Sequence, residues 1–295
     1  MASLQEGIEG PKIIATATDR NYVELAGVML RSLMTSPLPP DTRLIVFCDG
    51  LRAKDKSDLQ QCVFDNVDLE FIDIPKSQVT QLGQLRANSN WSRTIYSRLL
   101  MPQLLDIESG RILYLDADTI ILDSLEPLLS VDLGGHAIAA VGGFGAKEAN
   151  RLGLRPDVAL FNSGVMVIDV KTWRSERIGE RALELAGERF RSGLPSFDQD
   201  VLNIVMEGQF HRLGRQWNST KSTDENPAIV HFTHAKPNTR MCRNAWQATY
   251  LQFRQQTPWA KKRLKTKWDR RLRRVAFSLK SKTLWIVGRL TGSRA

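Results

Sequence analysis

The chain has 295 residues, 42% apolar and 25% charged, enough for a buried core in one large domain or two small ones and too apolar for wholesale disorder. Its longest uncharged run, Leu133 to Ala146, is too short and glycine-rich for a membrane span, and the first dozen residues carry Glu6 and Glu9 with no apolar stretch of a secretory signal. The net charge of +9 is uneven: residues 259–295 hold 13 Lys+Arg against one acid, Asp269, which leaves the preceding body at −3 and argues against a uniformly cationic nucleic-acid binder.

Strands and helices alternate along the body. Lys12 to Ala17 is a β-rich run, and Val23 to Leu33 has helical apolar spacing before the breaks at Pro37, Pro39 and Pro40. Leu44 to Cys48 predicts a second strand, Asp55 to Cys62 a helix, and Leu69 to Ile72 a third strand. Thr94 to Leu105 predicts a helix that runs into an apolar strand, Arg111 to Leu115, ending at two aspartates. A second apolar stretch, Thr119 to Leu122, follows them. Val165 to Val170 and Ile229 to Phe232 then read as strands, and Arg174 to Phe190 and Asp198 to Met206 as helices. This alternation predicts an α/β domain with a mostly parallel sheet covered on both faces. Ligands bind such sheets beyond the carboxyl ends of the strands. The residues to inspect are therefore Asp19-Arg20-Asn21-Tyr22, Asp116-Ala117-Asp118 and His231.

Asp116 and Asp118 flank one small residue at a strand end, where two carboxylates can converge on a hard cation such as Mg²⁺ or Mn²⁺. A surface turn is the plain alternative. Both flanks are apolar, however, and two acids between core strands are costly unless they meet a cation or several donors. Asp19 and Asn21 offer an acceptor and an amide, and equally the makings of an Asx turn before the next helix. Arg98 is either a fork for a diphosphate or sugar hydroxyl or a solvated helical arginine. Asn162-Ser163-Gly164 suits a backbone that passes close to a sugar. Asp198-Gln199-Asp200 opens a helix, where carboxylates are favoured and capping by Asp198 can coexist with function. Cys48, Cys62 and Cys242 fit neither a disulfide framework nor a zinc knuckle, and suggest a reducing compartment. Asn90-Trp91-Ser92 and Asn218-Ser219-Thr220 match the glycosylation pattern, which needs a secretory route.

Five blocks then fall in a telling order: Ala17-Thr18-Asp19-Arg20-Asn21-Tyr22; Tyr96-Ser97-Arg98-Leu99; Tyr114-Leu115-Asp116-Ala117-Asp118; Phe161-Asn162-Ser163-Gly164-Val165; and Phe197-Asp198-Gln199-Asp200, followed by His231-Phe232-Thr233 and Lys236-Pro237. Through them the chain resembles glycosyltransferase family 8, from about Ile13 to Pro237. The resemblance implies a GT-A-type fold. It implies a retaining hexosyltransferase that moves galactose or glucose from a UDP-sugar to a glycan or glycolipid acceptor. Asp116, Asp118 and His231 would then hold Mn²⁺, with Mg²⁺ as the alternative. Asp19, Asn21, Tyr22, Arg98, Asn162 and Lys236 would bind the donor, Asp198 its sugar hydroxyls, and Gln199 would lie close to the anomeric carbon. Gln199 is a poor nucleophile, so front-face substitution is expected rather than a covalent adduct. The chain departs from the family pattern in having His234 and Asn238 around Lys236, on a loop shorter by one residue.

The charge break divides the chain into a catalytic domain, 1–258, and a basic tail, 259–295. Within the tail Leu264, Trp268, Leu272, Val275 and Leu279 form a helical stripe with Lys and Arg between them. Such a helix fits an anionic membrane surface, which predicts a cytoplasmic protein peripheral on the inner face of the membrane. A helix packed on its own body is the alternative, and Trp268 and Trp285 are not needed for nucleic acid. Two other functions compete with transfer. One is a non-catalytic sugar-nucleotide fold acting as a binding module at membrane or nucleic acid, and the other is a metal-dependent phosphohydrolase using the same aspartates.

Overall fold

A computed structural model describes residues 10–75, 94–192 and 198–269. The first half of the body is built as β1 (Lys12–Asp19), α1 (Val23–Leu33), β2 (Thr42–Asp49), α2 (Ala53–Gln60), β3 (Leu69–Asp73), α3 (Thr94–Leu104) and β4 (Arg111–Leu115). Then come β5 (Thr119–Ile121), α4 (Glu126–Leu129), β6 (Ile138–Phe144), α5 (Ala146–Leu152) and β7 (Leu160–Asp169). The last described elements are α6 (Val170–Ser175), α7 (Ile178–Arg191), α8 (Asp198–Met206), β8 (His211–Arg212), a 3₁₀ turn (Arg215–Asn218), β9 (Ile229–His231) and α9 (Gln247–Arg254).

Seven strands form one sheet in the order β3-β2-β1-β4-β7-β6-β8, and β5 pairs with β9 in a second, two-stranded sheet. β1, β2, β3 and β4 are parallel to one another, β8 is parallel to β6, and β7 is antiparallel to both β4 and β6. The central strands are apolar on both faces because helices cover both faces. Ile13, Ala15, Ile45, Phe47, Ile112 and Tyr114 pack on one side with Leu99, Trp173 and Val201. Their alternates Ile14, Leu44, Val46, Leu113 and Leu115 pack on the other with Ala26, Met29 and Leu59.

β7 is the strand that makes the site. It runs antiparallel to β4, with Leu115 opposite Val165, so its first residues extend past the carboxyl end of β4. The Asp116 N–H donates to the Gly164 carbonyl at 2.8 Å. Asn162-Ser163-Gly164 is therefore extended strand beside the two aspartates. The sequence pattern starts this strand at Val165, because those three polar and small residues resemble a turn.

Two other regions depart from expectation. The helix expected over Arg174 to Phe190 is two helices, broken at Arg177, whose φ of 54° is left-handed. The break lets Trp173 and Ile178 both be fully buried. β6 is unread in sequence because Ala and Gly carry little strand signal. Its register with β7 shifts at Ala140/Val141 and at Gly142/Phe144, and the Asn203 side chain serves the backbone of Phe161, accepting from its N–H at 2.8 Å and donating to its carbonyl at 2.9 Å.

The change of charge at Pro258 is not a break in packing. Trp259 is buried, and a β-carbon on Gly27 of α1 would stand 2.3 Å from its ring. Buried Glu24 accepts from Arg254 Nε at 2.9 Å and pairs with Lys262 Nζ at 3.2 Å. Lys265 is bridged to Thr239, and its N–H donates to Asn238 O at 3.0 Å. Leu264 is thus in an extended segment and not the first residue of a helical stripe. Helix begins at 267, with Asp269 accepting from both the N–H and the hydroxyl of Thr266, a capping arrangement. Trp268 is 68% exposed. Leu272, Val275 and Leu279 lie outside the described residues. No helix among the described residues is long and apolar enough to cross a membrane.

Candidate active site

Beyond the carboxyl end of β4, Asp116 and Asp118 meet His231 from the end of β9. β9 reaches them because it pairs with β5, which places His231 opposite Thr119. One ligand atom from each of the three side chains lies within 4.8 Å of the others. His231 Nε2 is 3.5 Å from Asp116 Oδ2 and 3.3 Å from Asp118 Oδ1. Two carboxylates and an imidazole, converging and largely buried, fit a divalent cation of the Mn²⁺ or Mg²⁺ kind by geometry and by ligand chemistry. Gly164 makes room for them. The close approach expected of its backbone is to His231 and Asp116, as a β-carbon there would overlap both.

Each aspartate has its own counter-charge. Burial raises the Asp118 carboxyl, but Lys236, and after it His231, more than offset this and hold it below the ordinary carboxylate range. Lys236 pairs with Asp118 Oδ2 and donates to Phe232 O at 2.8 Å. Asp116 Oδ1 accepts from Arg98 at 2.8 Å and from the Tyr114 hydroxyl at 2.6 Å. Arg98 also lies over the Tyr114 ring, 4.5 Å from its centre, and donates to Ser163 O and Oγ at 2.8 and 2.9 Å. Its Nε is 2.9 Å from Asp198 Oδ2, an ion pair rather than an aligned hydrogen bond. Burial works against the guanidinium charge, yet Asp116 and then Asp198 keep its pKa above the usual range. Arg98 is therefore neither solvated nor extended into the cleft: it braces a metal-facing carboxylate to the start of α8. Asp198 sits in the same buried nest, where burial raises its pKa against the opposing pull of Arg98.

Gln199 follows, with Oε1 accepting from Asn162 Nδ2 at 2.9 Å and from the Ser163 N–H at 3.3 Å. Asp200 is turned from the cluster and forms a two-pronged pair with Arg151, at 2.7 and 3.1 Å. At the other end of the sheet edge, Asp19 closes the Asx turn its sequence allows, accepting from the N–H groups of Asn21 and Tyr22 at 2.8 and 3.0 Å. Asp19, Arg20 and Asn21, with Asp49 and Arg52 after β2, line a cavity of about 420 Å³. Tyr22 follows on the same turn and is 37% exposed, and its phenol is pushed up, by burial of part of the ring and by nearby Asp118 against the pull of Lys236.

Sequence reasoning missed Asn218. It is 5% exposed, and both ends of its amide are engaged inside the site, so it is no glycosylation acceptor. Asn90 lies outside the described residues. The sequence signal available was its place in the loop that leads to the strand carrying His231, which is weak.

The family model described as Glycosyl transferase family 8 matches residues 13–242. General stress protein A of Bacillus subtilis is 27% identical over 271 residues, covering 83% of this chain and 94% of that protein. Lipopolysaccharide 1,2-glucosyltransferase of Escherichia coli is 29% identical over 247 residues, covering 75% of this chain and 71% of that protein. In structure, the chain is similar to the galactosyltransferase LgtC crystallised with donor and acceptor sugar analogues. The TM-score is 0.72 at 23% identity, covering 84% of this chain and 99% of the other, a likeness of fold.

Proposed function

Because the chain belongs to glycosyl transferase family 8, and its fold and an Asp-Asp-His cluster agree with that membership, we propose that it is a retaining hexosyltransferase that uses a UDP-sugar and Mn²⁺, Mg²⁺ being the alternative ion. The observation that carries this reading is the convergence of Asp116, Asp118 and His231 beside Gln199 and Asp198 at one strand-end crevice. Galactose or glucose is the sugar, a choice supported by what the similar proteins are called.

The chain's own residues divide the work by position. Asp19, Asn21 and Tyr22 bind the nucleoside at the cavity end. Asp116, Asp118 and His231 would hold the cation. Such an ion supplies Lewis-acid stabilisation of charge on a departing diphosphate. Lys236 adds a point charge on the same side. Asn162 and Asp198 orient the sugar, and Gln199 lies at the reacting carbon. Gln199 is a weak nucleophile, which favours attack of the acceptor hydroxyl from the face that the diphosphate leaves, with the diphosphate taking the proton. Positive charge builds on the anomeric carbon in such chemistry.

The acceptor we propose is a glycan or glycolipid, met at an anionic membrane surface on the cytoplasmic, inner face. The basic residues from Lys261 onward support this part of the reading. A donor screen over UDP-galactose, UDP-glucose and UDP-N-acetylhexosamines, read as UDP release with and without Mn²⁺, tests the proposal. Metal-dependent release with one hexose donor supports it, and no release with any of them contradicts it.

A further inference from the structure

The geometry points to Asn218 as a positioning residue that fixes the tautomer of His231 and, through Asn162, the orientation of Gln199. The inference rests on the proposed transferase reading for Gln199, but not for His231. Its starting point is a donor of known polarity. The backbone N–H of Gly164 can only donate, and it does so to the side-chain oxygen of Asn162 at 3.0 Å. That fixes which end of the Asn162 amide is which. Its Nδ2 must then face Gln199, and donates to Oε1 at 2.9 Å.

The same oxygen of Asn162 receives a second hydrogen bond, from Asn218 at 2.8 Å. The group facing it must be the Asn218 NH₂, so Asn218 Oδ1 faces the other way. It lies 2.9 Å from His231 Nδ1. An amide oxygen only accepts, so Nδ1 carries a proton, and in neutral His231 the Nε2 lone pair is left for a cation held together with Asp116 and Asp118. Polarity thus passes from one backbone N–H through two amides to an imidazole. Metal-facing histidines are commonly set in this way by the partner of their other nitrogen.

The relay also orients Gln199. Its Oε1 accepts from Asn162 and from the Ser163 N–H, and its Nε2 is bonded to none of the described residues. The end left for the sugar is therefore a donor. The 3₁₀ turn that carries Asn218 is held to β9 by the Ser219 N–H donating to Ile229 O at 2.9 Å and the His231 N–H donating to Ser219 O at 2.7 Å. Asn218 and His231 are thus tied to one another through backbone as well as side chain.

Two variants separate the two halves of the role. Asn218→Asp keeps an acceptor for His231 Nδ1 but sets a carboxylate against the Asn162 oxygen. Asn218→Leu keeps the bulk and loses both bonds. In ¹⁵N-labelled wild type loaded with Mg²⁺, a diamagnetic ion, long-range ¹H–¹⁵N spectra should show His231 protonated on Nδ1. Titration with MnCl₂ alone, followed by electron paramagnetic resonance, should give Asn218→Asp an affinity close to wild type. Asn218→Leu should be weaker by about 10- to 100-fold. With donor present, Asn218→Asp should lower kcat by about 10-fold or more and leave the donor KM little changed. Protonation of His231 on Nε2 and not on Nδ1 in the Mg²⁺-loaded wild type, a folded Asn218→Leu that binds Mn²⁺ as tightly as wild type, or an unchanged kcat in Asn218→Asp would each overturn the assignment. The tautomer and metal measurements use no sugar nucleotide, so they decide the His231 half even if the donor proves to be something else.

Discussion

A β-carbon on Gly164 would stand 2.2 Å from Cε1 of His231 and 2.7 Å from Oδ2 of Asp116. Glycine is thus required here for space, because β7 passes directly beneath the imidazole and one carboxylate. Gly164→Ala should push His231 off the aspartates while the sheet, paired through backbone, stays formed. Displacement of a reacting or binding group by about 1 Å can cost on the order of 100-fold. The expected outcome is a loss of that order in transfer rate and weaker Mn²⁺ binding by calorimetry, with an unchanged far-ultraviolet dichroism spectrum.

Asp118 is held between Lys236 and His231. Asp118→Asn removes a hard anionic ligand from between two positive or polarised groups and should nearly abolish transfer and Mn²⁺ binding together. Asp116→Asn should do the same, and it should also loosen Arg98, which shares Asp116 with Tyr114. The check is a Mn²⁺ titration of each purified variant beside its rate of UDP release. A folded variant that keeps most of its metal-dependent rate would remove that residue from the ligand set.

Gln199→Ala should lower kcat far more than it weakens UDP binding, because Gln199 is bonded to Asn162 and Ser163 and not to the nucleotide end of the crevice. An interaction realised during transfer appears in turnover rather than in ground-state affinity. Steady-state kinetics alongside UDP calorimetry separates the two. An equal loss in UDP affinity would put Gln199 at the nucleotide.

Much of this was legible in the residues. Val23–Leu33 and Arg111–Leu115 are read with their observed bounds because a buried helix face and a doubly covered strand leave strong apolar patterns. The ordered blocks likewise bring Asp116, Asp118 and His231 together on paper as they are in space. What escaped reading has a physical cause. β6, Ile-Ala-Ala-Val-Gly-Gly-Phe, is a strand through its place between β7 and β8 rather than through propensity. Asn218 sits in a short 3₁₀ turn without periodicity, and its partners Asn162 and His231 are 56 and 13 residues away. Arg98 was legible as a site residue, but its place between Asp116 and Asp198 depends on where β7 and α8 cross. Charge counting put a boundary at Pro258, yet charge is a surface property and Trp259 is part of the core.

That packing changes the expectation for truncation. Removing everything after Pro258 deletes the buried Trp259 and the Lys262 partner of Glu24. Loss of a large buried aromatic costs about 3–5 kcal/mol, so this variant should melt well below the full chain. Ending at Asp269 keeps those contacts. It removes eight Lys+Arg and no acid, each base adding about 1 kcal/mol near an anionic surface. The longer variant should hydrolyse a UDP-sugar at close to the full-length rate and bind anionic vesicles weakly. Equal vesicle binding by the two chains would contradict the tail's role at a membrane.

Glu24 gives an independent check on the same seam. It is 2% exposed and Arg254 is 3% exposed. Removing one partner of a buried pair strands the other charge at a cost of about 3–5 kcal/mol. Glu24→Ala should therefore lower the melting temperature clearly, although the charged partners of Glu24 are Arg254 and Lys262 and none of the proposed donor-binding residues. A change of a degree or less would mean that the buried pair contributes little.

The central claim, that Asp116, Asp118 and His231 serve sugar transfer from a nucleotide rather than phosphate hydrolysis, is tested most directly by ³¹P spectroscopy of the products. Purified protein would be incubated with UDP-galactose or UDP-glucose and Mn²⁺. Transferase chemistry breaks the bond at the anomeric carbon, so the predicted phosphorus product is intact UDP, formed with Mn²⁺ and absent with excess chelator. Appearance of UMP together with hexose 1-phosphate would mean that the diphosphate itself is cleaved, and would contradict the account.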